Sequence, residues 1–233
     1  MILENIDIFH VHTYRCGHAE NCMDEDYIRK AISLGAKSIA FTDHAPFPKD
    51  PFGNRMRIEE LKEYLSTLKS LKEKYSNNIE IYTGLEVEYF DQFLSYYEDL
   101  RENPNIDLLV LGQHMYMTQD GNYSFNLPKE YLENEEFLGL GNSIISGIKT
   151  GLFDAVAHPD RIFRRRKSFG SSEQKISEII INTAISHDIP LEVNKSSIRE
   201  GLYVPEFWRI AQNFGADIIY GYDAHSPDEL CPA

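Results

Sequence analysis

Seven short runs of apolar and β-branched residues recur along this chain, separated by longer amphipathic or polar stretches. No other feature limits the available folds so strongly. The runs are IDIFHVHT (6–13), SIAFTDHA (38–45), IEIYTGLEVEY (79–89), IDLLVLGQHMY (106–116), FDAVAHPD (153–160), IPLEVNKS (189–196) and ADIIYGYDAH (216–225). Several are nearly continuous in hydrophobicity, which suits strands covered on both faces of a parallel sheet. Helical patterns lie between them. MDEDYIRKAISLGA (23–36) places acids in a first turn and Gly35 at a C-terminal stop. IEELKEYLSTLKSLKEKY (58–75) carries apolar residues at 58, 61, 65, 68 and 71, a spacing that predicts one buried stripe. SSEQKISEIIINTAISH (171–187) opens with a Ser and an early Glu, a capping arrangement, and VPEFWRIAQNFG (204–215) has Pro205 near its start and Gly215 past its end. Seven strands alternating with helices predict a (β/α) barrel or a doubly wound sheet. No Pro/Gly/Ser-rich linker or repeat divides the 233 residues, so one domain spanning 1–233 is expected.

Charge and length exclude several classes. Lys plus Arg total 23 against 37 Asp plus Glu, a net charge of −14. So acidic a surface does not suit a nucleic acid polymer or an anionic membrane, because phosphate contacts need a basic face. No apolar run approaches the ~18 residues that span a bilayer. The start, MILENIDIFHVH, lacks the basic and long apolar regions of a signal peptide, so a cytoplasmic protein is expected. The three cysteines, Cys16, Cys22 and Cys231, form no C-x-x-C pair and predict free thiols, not a disulfide framework or zinc ribbon.

The polar residues fall at the ends of the runs. His10 and His12 end the first, Asp43 and His44 the second, and His114 the fourth. His158 with Asp160 ends the fifth, Asn194 stands near the end of the sixth, and Asp223 with His225 ends the seventh. Glu86 and Glu88 lie within the third. In a barrel all strand C-termini open on one face, where catalytic residues sit. Of eight histidines, six end strands, His18 follows in the first loop, and only His187 falls near a helix end. One such histidine is more often structural; the whole series points to a site.

On a strand, His-x-His projects both imidazoles to one side. Imidazole and carboxylate together suit zinc, iron or manganese. The seven histidines with Glu86 and Asp223 make nine ligands, more than one ion uses at roughly four to six each. Two or three ions are implied, with Glu86 a natural bridge. Three divalent ions less two carboxylates leave about +4, a well for a phosphate dianion in an otherwise acidic protein. Clustered metals lower the pKa of a bound water and clamp phosphoryl oxygens. HPDRIFRRRKSFG (158–170) adds four Arg and one Lys over 161–167, directly after a ligand-bearing strand. A charge run is usually a solvated face. At the mouth of a cationic site, at least one of these arginines is expected to grip phosphate, and Arg199 after EVNKSSIR is another candidate. The longer loops PFPKDPFGNRMR (46–57) and MTQDGNYSFNLPKEY (117–131) lie where lids occur. Phe47, Phe52, Tyr116 and Tyr123 there serve either an organic leaving group or local packing.

These motifs resemble the polymerase-and-histidinol-phosphatase (PHP) superfamily, and within it the monofunctional histidinol-phosphate phosphatases. The likeness rests on HVH with His18, TDH, GLEVEY, GQH, HPD and DAH in order, over residues 8 to 226. FHVHTYRCGHA, FTDHAPFP and EVNKSSIR look particularly like the histidinol-phosphatase branch. The resemblance implies a distorted (β/α)7 barrel with a trinuclear site of divalent transition-metal ions (Zn, Mn or Fe). By position, one ion takes His10, His12, Glu86 and Asp223; a second takes Glu86, His114 and His158; the third takes His18, His44 and His225. The implied reaction is hydrolysis of L-histidinol phosphate by a metal-bound hydroxide. Arg161 and Arg199 are expected to hold phosphate, with Arg165 among the substitutes, and Asp160 to protonate the leaving alkoxide. The implied partner is a small phosphorylated substrate; oligomeric state stays open. Two features depart from the family. Members usually continue with another helix after the position of SPDELCPA, and Tyr222 stands where a small residue often precedes Asp-Ala-His.

Three alternatives compete. The same chemistry serves another small ester, such as a nucleotide or phosphotyrosine. An amidohydrolase-like enzyme also begins with His-x-His, but commonly places a bridging Lys where Gln113-His114 stands here. A metal-stabilised scaffold without activity should have lost ligands, and none of the nine is lost.

Overall fold

Residue 3, residues 6–49 and residues 51–231 are described by a computed structural model. Pro232 and Ala233 lie outside the described residues. The seven strands are β1 (Ile8–Val11), β2 (Ser38–His44), β3 (Glu80–Val87), β4 (Leu108–Leu111), β5 (Ala155–Val156), β6 (Leu191–Asn194) and β7 (Ile218–Gly221). Each lies inside one of the seven apolar runs, and they are hydrogen-bonded in chain order, β1 to β7. A doubly wound sheet would break that order at a switch point. Backbone packing groups the chain into two compact units, one of Met1–Glu86, Leu100–Val110 and Tyr220–Ala233, the other of Val87–Asp99 and Leu111–Ile219.

In the first unit, β2 pairs in parallel with β1 and with β3. The β2–β3 register runs without a break from Ser38 opposite Glu80 to His44 opposite Glu86. The segment after β7 returns to β1: Tyr222 N–H donates to Phe9 O at 2.8 Å, and Val11 bridges Ala224 in parallel. A seven-stranded order that comes back to β1 is that of a (β/α)7 barrel. Helices α1 (Asp24–Ser33) and α2 (Leu61–Tyr75) belong to this unit. α1 has Asp24, Glu25 and Asp26 in its first turn, and Gly35 beyond its end has φ +82°, a conformation that favours glycine. α2 differs from the expected stripe. Tyr64, Leu68 and Leu71 are its buried residues, while Ile58 is 37% exposed. A tyrosine carries the inner face because its hydroxyl donates to Gly84 O at 2.9 Å, so its ring is buried with its polar atom satisfied.

The second unit holds α4 (Lys129–Lys149), α5 (Ser171–Ser186), α6 (Lys195–Arg199) and α7 (Pro205–Phe214). α7 starts on Pro205 and ends on Gly215 at φ +74°, as the pattern predicts. α5 is capped one residue earlier than expected: Gly170 is the cap and its N–H donates to Glu173 at 3.0 Å. α3 (Leu94–Glu102), α4 and α6 are not apparent from the sequence pattern. α4 contains Gly139, Gly141 and Gly147, which look like helix breakers. Each is a point of close approach instead. An added Cβ would lie 2.4 Å from the Tyr116 ring at Gly139, 2.6 Å from Ile176 at Gly141 and 2.8 Å from Leu111 at Gly147. The loop aromatics serve local packing. Phe47 is fully buried, its ring meets Phe52 edge-on at 5.1 Å, and Arg55 lies over both. No helix among the described residues is long and apolar enough to cross a membrane, and all three cysteines are free.

Candidate metal centre

Seven of the nine expected ligands come together in the first unit. β1 does not deliver its histidines by simple alternation. The β1–β2 register slips between Ile8 and Val11, so one extra residue of β1 is accommodated, and His10 has φ +70°. Asp223 is also in the left-handed region, at φ +50°. For non-glycine residues this conformation costs on the order of 1–3 kcal/mol and persists only where surrounding contacts impose it. Here Ala224 imposes it on both, with its N–H on His10 O at 3.2 Å and its carbonyl accepting from His12 N–H at 2.9 Å.

The bend turns His10 Nε2 and His12 Nε2 to within 3.1 Å of each other. His12 Nε2 stands 3.1 Å from Asp223 Oδ1 and 3.5 Å from Glu86 Oε2. The in-register β2–β3 pair brings His44 Nδ1 to 2.9 Å from Glu86 Oε2. His225 Nε2 faces His18 Nε2 at 2.9 Å, and their Nδ1 atoms face the carbonyls of Asp223 and Cys16. His10, His12 and Glu86 offer atoms all within 4.8 Å of one another, as do His12, His44 and His225. Bare imidazole nitrogens packed against carboxylates inside a protein are the donor set of a transition-metal centre, so these residues fit divalent ions.

The electrostatics agree. Burial opposes a charge on His12, but hydrogen bonding to Asp223 and Asp43 and the charges of Asp223 and Glu86 prevail and raise it to about 9. The pocket therefore calls for a positive charge. His225 is lowered to about 3, by burial first and by His12 second, and burial also lowers His18. Neutral imidazole is the form that ligates. Cys16, outside the expected ligand set, offers its sulfur within 4.8 Å of ring nitrogens of His18 and His225. Burial pushes its thiol up to about 12, and Sγ accepts from Ala19 N–H at 3.3 Å.

The second unit holds His114 and His158, whose rings are 4.9 Å apart. His158 is a third strained residue, at φ +32°. Its N–H donates to Glu192 Oε2 at 3.0 Å, and His114 Nδ1 lies 3.1 Å from Glu88 Oε1. Asp43 and Glu88 stand among the polar residues of the apolar runs, whereas Glu192, within β6, is passed over by the motif pattern. A carboxylate within a buried strand is the signal that marks it.

The basic run is largely engaged. Glu136 accepts from Arg164 Nη2 at 2.7 Å and Arg165 Nε at 2.8 Å, and Arg166 Nε donates to Glu173 at 2.6 Å. Arg161 differs: its Nε donates to Ser197 Oγ at 3.1 Å and its Nη2 lies 3.4 Å from Asn194 Oδ1. Arg199 is exposed at the end of α6. Asp160 is 1% exposed; its Oδ2 accepts from Val204 N–H at 2.9 Å and Trp208 Nε1–H at 2.8 Å. Burial pushes its carboxyl up to about 6 against those two donors.

Comparison with known proteins follows the same lines. A probable histidinol-phosphatase of Deinococcus radiodurans is 27% identical over 237 residues, covering 95% of this chain and 86% of the relative. The putative histidinol phosphatase of Listeria monocytogenes superposes with a TM-score of 0.78 at 19% identity, over 96% of both chains. The histidinol phosphate phosphatase of Lactococcus lactis, solved with zinc, L-histidinol and phosphate, superposes at 0.72 with 20% identity, over 94% of this chain and 86% of that one. These structures share the distorted (β/α)7 fold. The PHP domain profile matches residues 9–196, most of the chain and all but two of the expected ligands, and the protein is therefore a member of the PHP family.

Proposed function

We propose that the chain is a metal-dependent phosphomonoesterase that hydrolyses L-histidinol phosphate to L-histidinol and phosphate. The observation that carries this is the cluster of His10, His12, His18, His44 and His225 with Glu86 and Asp223 in a chain of the PHP family. The substrate follows from the relatives, one named a probable histidinol-phosphatase and another solved with L-histidinol and phosphate. Three divalent ions, zinc, manganese or iron, are the proposed complement, and His114 and His158 are proposed ligands alongside the seven residues of that cluster. Bound ions would supply an activated water and neutralise phosphoryl oxygens.

The chain's own residues do the rest. Arg161 and Arg199 are proposed to hold the phosphate, since a guanidinium matches two phosphoryl oxygens at once. Arg161 suits this better than Arg165, which Glu136 already holds. Asp160 stands after the fifth strand where a proton donor is expected, yet its carboxylate anchors Val204 and Trp208. We assign it to positioning α7, not to protonating the leaving group. The test is phosphate release from a panel of phosphomonoesters by stripped protein resupplied with Mn, Zn, Fe or Co. Histidinol phosphate is expected to exceed nitrophenyl phosphate at least tenfold in kcat/KM, about 1.4 kcal/mol in transition-state stabilisation. Equal rates would overturn the substrate assignment.

A further inference from the structure

Arg15 is 5% exposed, yet it is neither among the proposed phosphate-binding residues nor among the proposed ligands. It follows β1 in a 3-10 turn (Tyr14–Cys16) and uses all its donors inside the protein. Nε and Nη2 donate to Glu63 at 2.8 and 3.2 Å. Nη1 and Nη2 donate to the two oxygens of Asp24 at 2.8 and 2.9 Å, a bidentate pair. The fifth N–H, on Nη1, goes to Thr13 Oγ1 at 3.1 Å. Asp24 opens α1 and Glu63 lies in the first turn of α2, so both helices hold the guanidinium from the far side.

The direction of that fifth bond has a consequence. Thr13 Oγ1 accepts from Arg15 Nη1–H and also faces Arg15 N–H at 3.4 Å. Arginine does not deprotonate in a protein, so it is only ever the donor. The single hydroxyl proton of Thr13 is left to point the other way, and it donates to Asp43 Oδ2. Thr13 N–H supports the same oxygen at 3.3 Å, while His44 N–H holds Oδ1 at 2.9 Å. Asp43 Oδ1 then faces His12 Nδ1 at 3.6 Å, on the side of the ring opposite the Nε2 that meets Asp223. At 3.6 Å this is an electrostatic contact and not a hydrogen bond, and a carboxylate on that side of the ring favours the proton on Nδ1 over Nε2.

We propose that Arg15 is a positioning residue for the metal centre: through Thr13 and Asp43 it orients the His12 ring and selects the tautomer with Nε2 free to ligate. Arg15 touches no substrate. The proposal rests on His12 being a metal ligand, as in the function proposed above, but not on the identity of the substrate.

The test reads metal binding, which does not depend on which ester is hydrolysed. Thr13→Val removes the hydroxyl while keeping the shape, Thr13→Ser restores it, and Arg15→Met removes the donor. Mn2+ is titrated calorimetrically into stripped protein of each form. Outer partners of ligating histidines typically contribute about 10- to 100-fold in metal affinity. One class of sites is expected to weaken by that factor in Thr13→Val and Arg15→Met, and to recover in Thr13→Ser. The melting temperature of the stripped proteins separates this from misfolding, since Thr13→Val should melt close to Thr13→Ser. If Thr13→Val binds Mn2+ as tightly as wild type, or if Thr13→Ser is as weak as Thr13→Val, the relay is wrong even where histidinol phosphate proves to be the substrate.

Discussion

At the scale of single residues, the candidate ligands are legible in the sequence but the means of bringing seven of them together are not. His10, His12, Glu86 and Asp223 are conspicuous because imidazoles and carboxylates at the ends of buried strands have no bland explanation in such numbers. What the pattern misses is the left-handed backbone at His10, Asp223 and His158, which the β1 bulge and the bonds through Ala224 impose in the first unit. The basic run shows the converse. Charge density at 161–167 signals phosphate binding, but a partner far along the chain decides whether a guanidinium is available. Glu136, 2% exposed, engages both Arg164 and Arg165. Glu136→Gln should therefore cost stability, about 1–3 kcal/mol, most of it from Arg164, because solvent screens the more exposed Arg165. Urea denaturation measures this, and kcat/KM should stay close to wild type. A large loss of activity at unchanged stability would instead mark that arginine pair as part of the substrate site.

At the scale of elements, the helices that read clearly are those with strong end signals, such as Pro205 and Gly215 around α7. α4 escapes because its three glycines serve packing against Tyr116, Ile176 and Leu111, contacts with residues up to dozens of positions away. α1 and α2 are joined by a surface cluster with its own pH signature. Glu25 on α1 accepts from Lys74 Nζ at 2.7 Å, from the Tyr75 hydroxyl on α2, and from Arg29 Nη2 at 3.0 Å. The hydrogen bond from Lys74, then that from Tyr75, lowers its carboxyl from 4.5 to about 2. A depressed folded pKa stabilises above the unfolded value, and that contribution fades as pH falls from about 4.5 through about 2. In stripped protein, Glu25→Gln should be less stable than wild type above pH 4.5, with the difference shrinking through that window. Denaturant midpoints at several pH values test it, and a gap that stays constant down to pH 2 would contradict the assignment.

At the scale of the whole molecule, folding and metal binding are expected to be coupled. A pocket that places carboxylates beside His12 until its pKa reaches about 9 is short of positive charge without ions. Chelation should lower the melting temperature and loss of metal should be reversible. At hundredfold excess over Kd an ion stabilises by about 2.7 kcal/mol, which for a chain of this length corresponds to roughly 5–10 °C. Calorimetry with and without chelator measures the shift, and an unchanged midpoint would show the cluster assembles independently of metal. The sequence by itself determined the strand count, the parallel α/β class and the series of candidate ligands, because those depend on local periodicity and on which residue types end each run. Only the tertiary structure decided the return of the segment after β7 to β1, the bulge that turns His10 toward His12, and which arginines are already held. Each of these depends on partners remote in sequence, whose hydrogen bonds and packing outweigh local conformational preference.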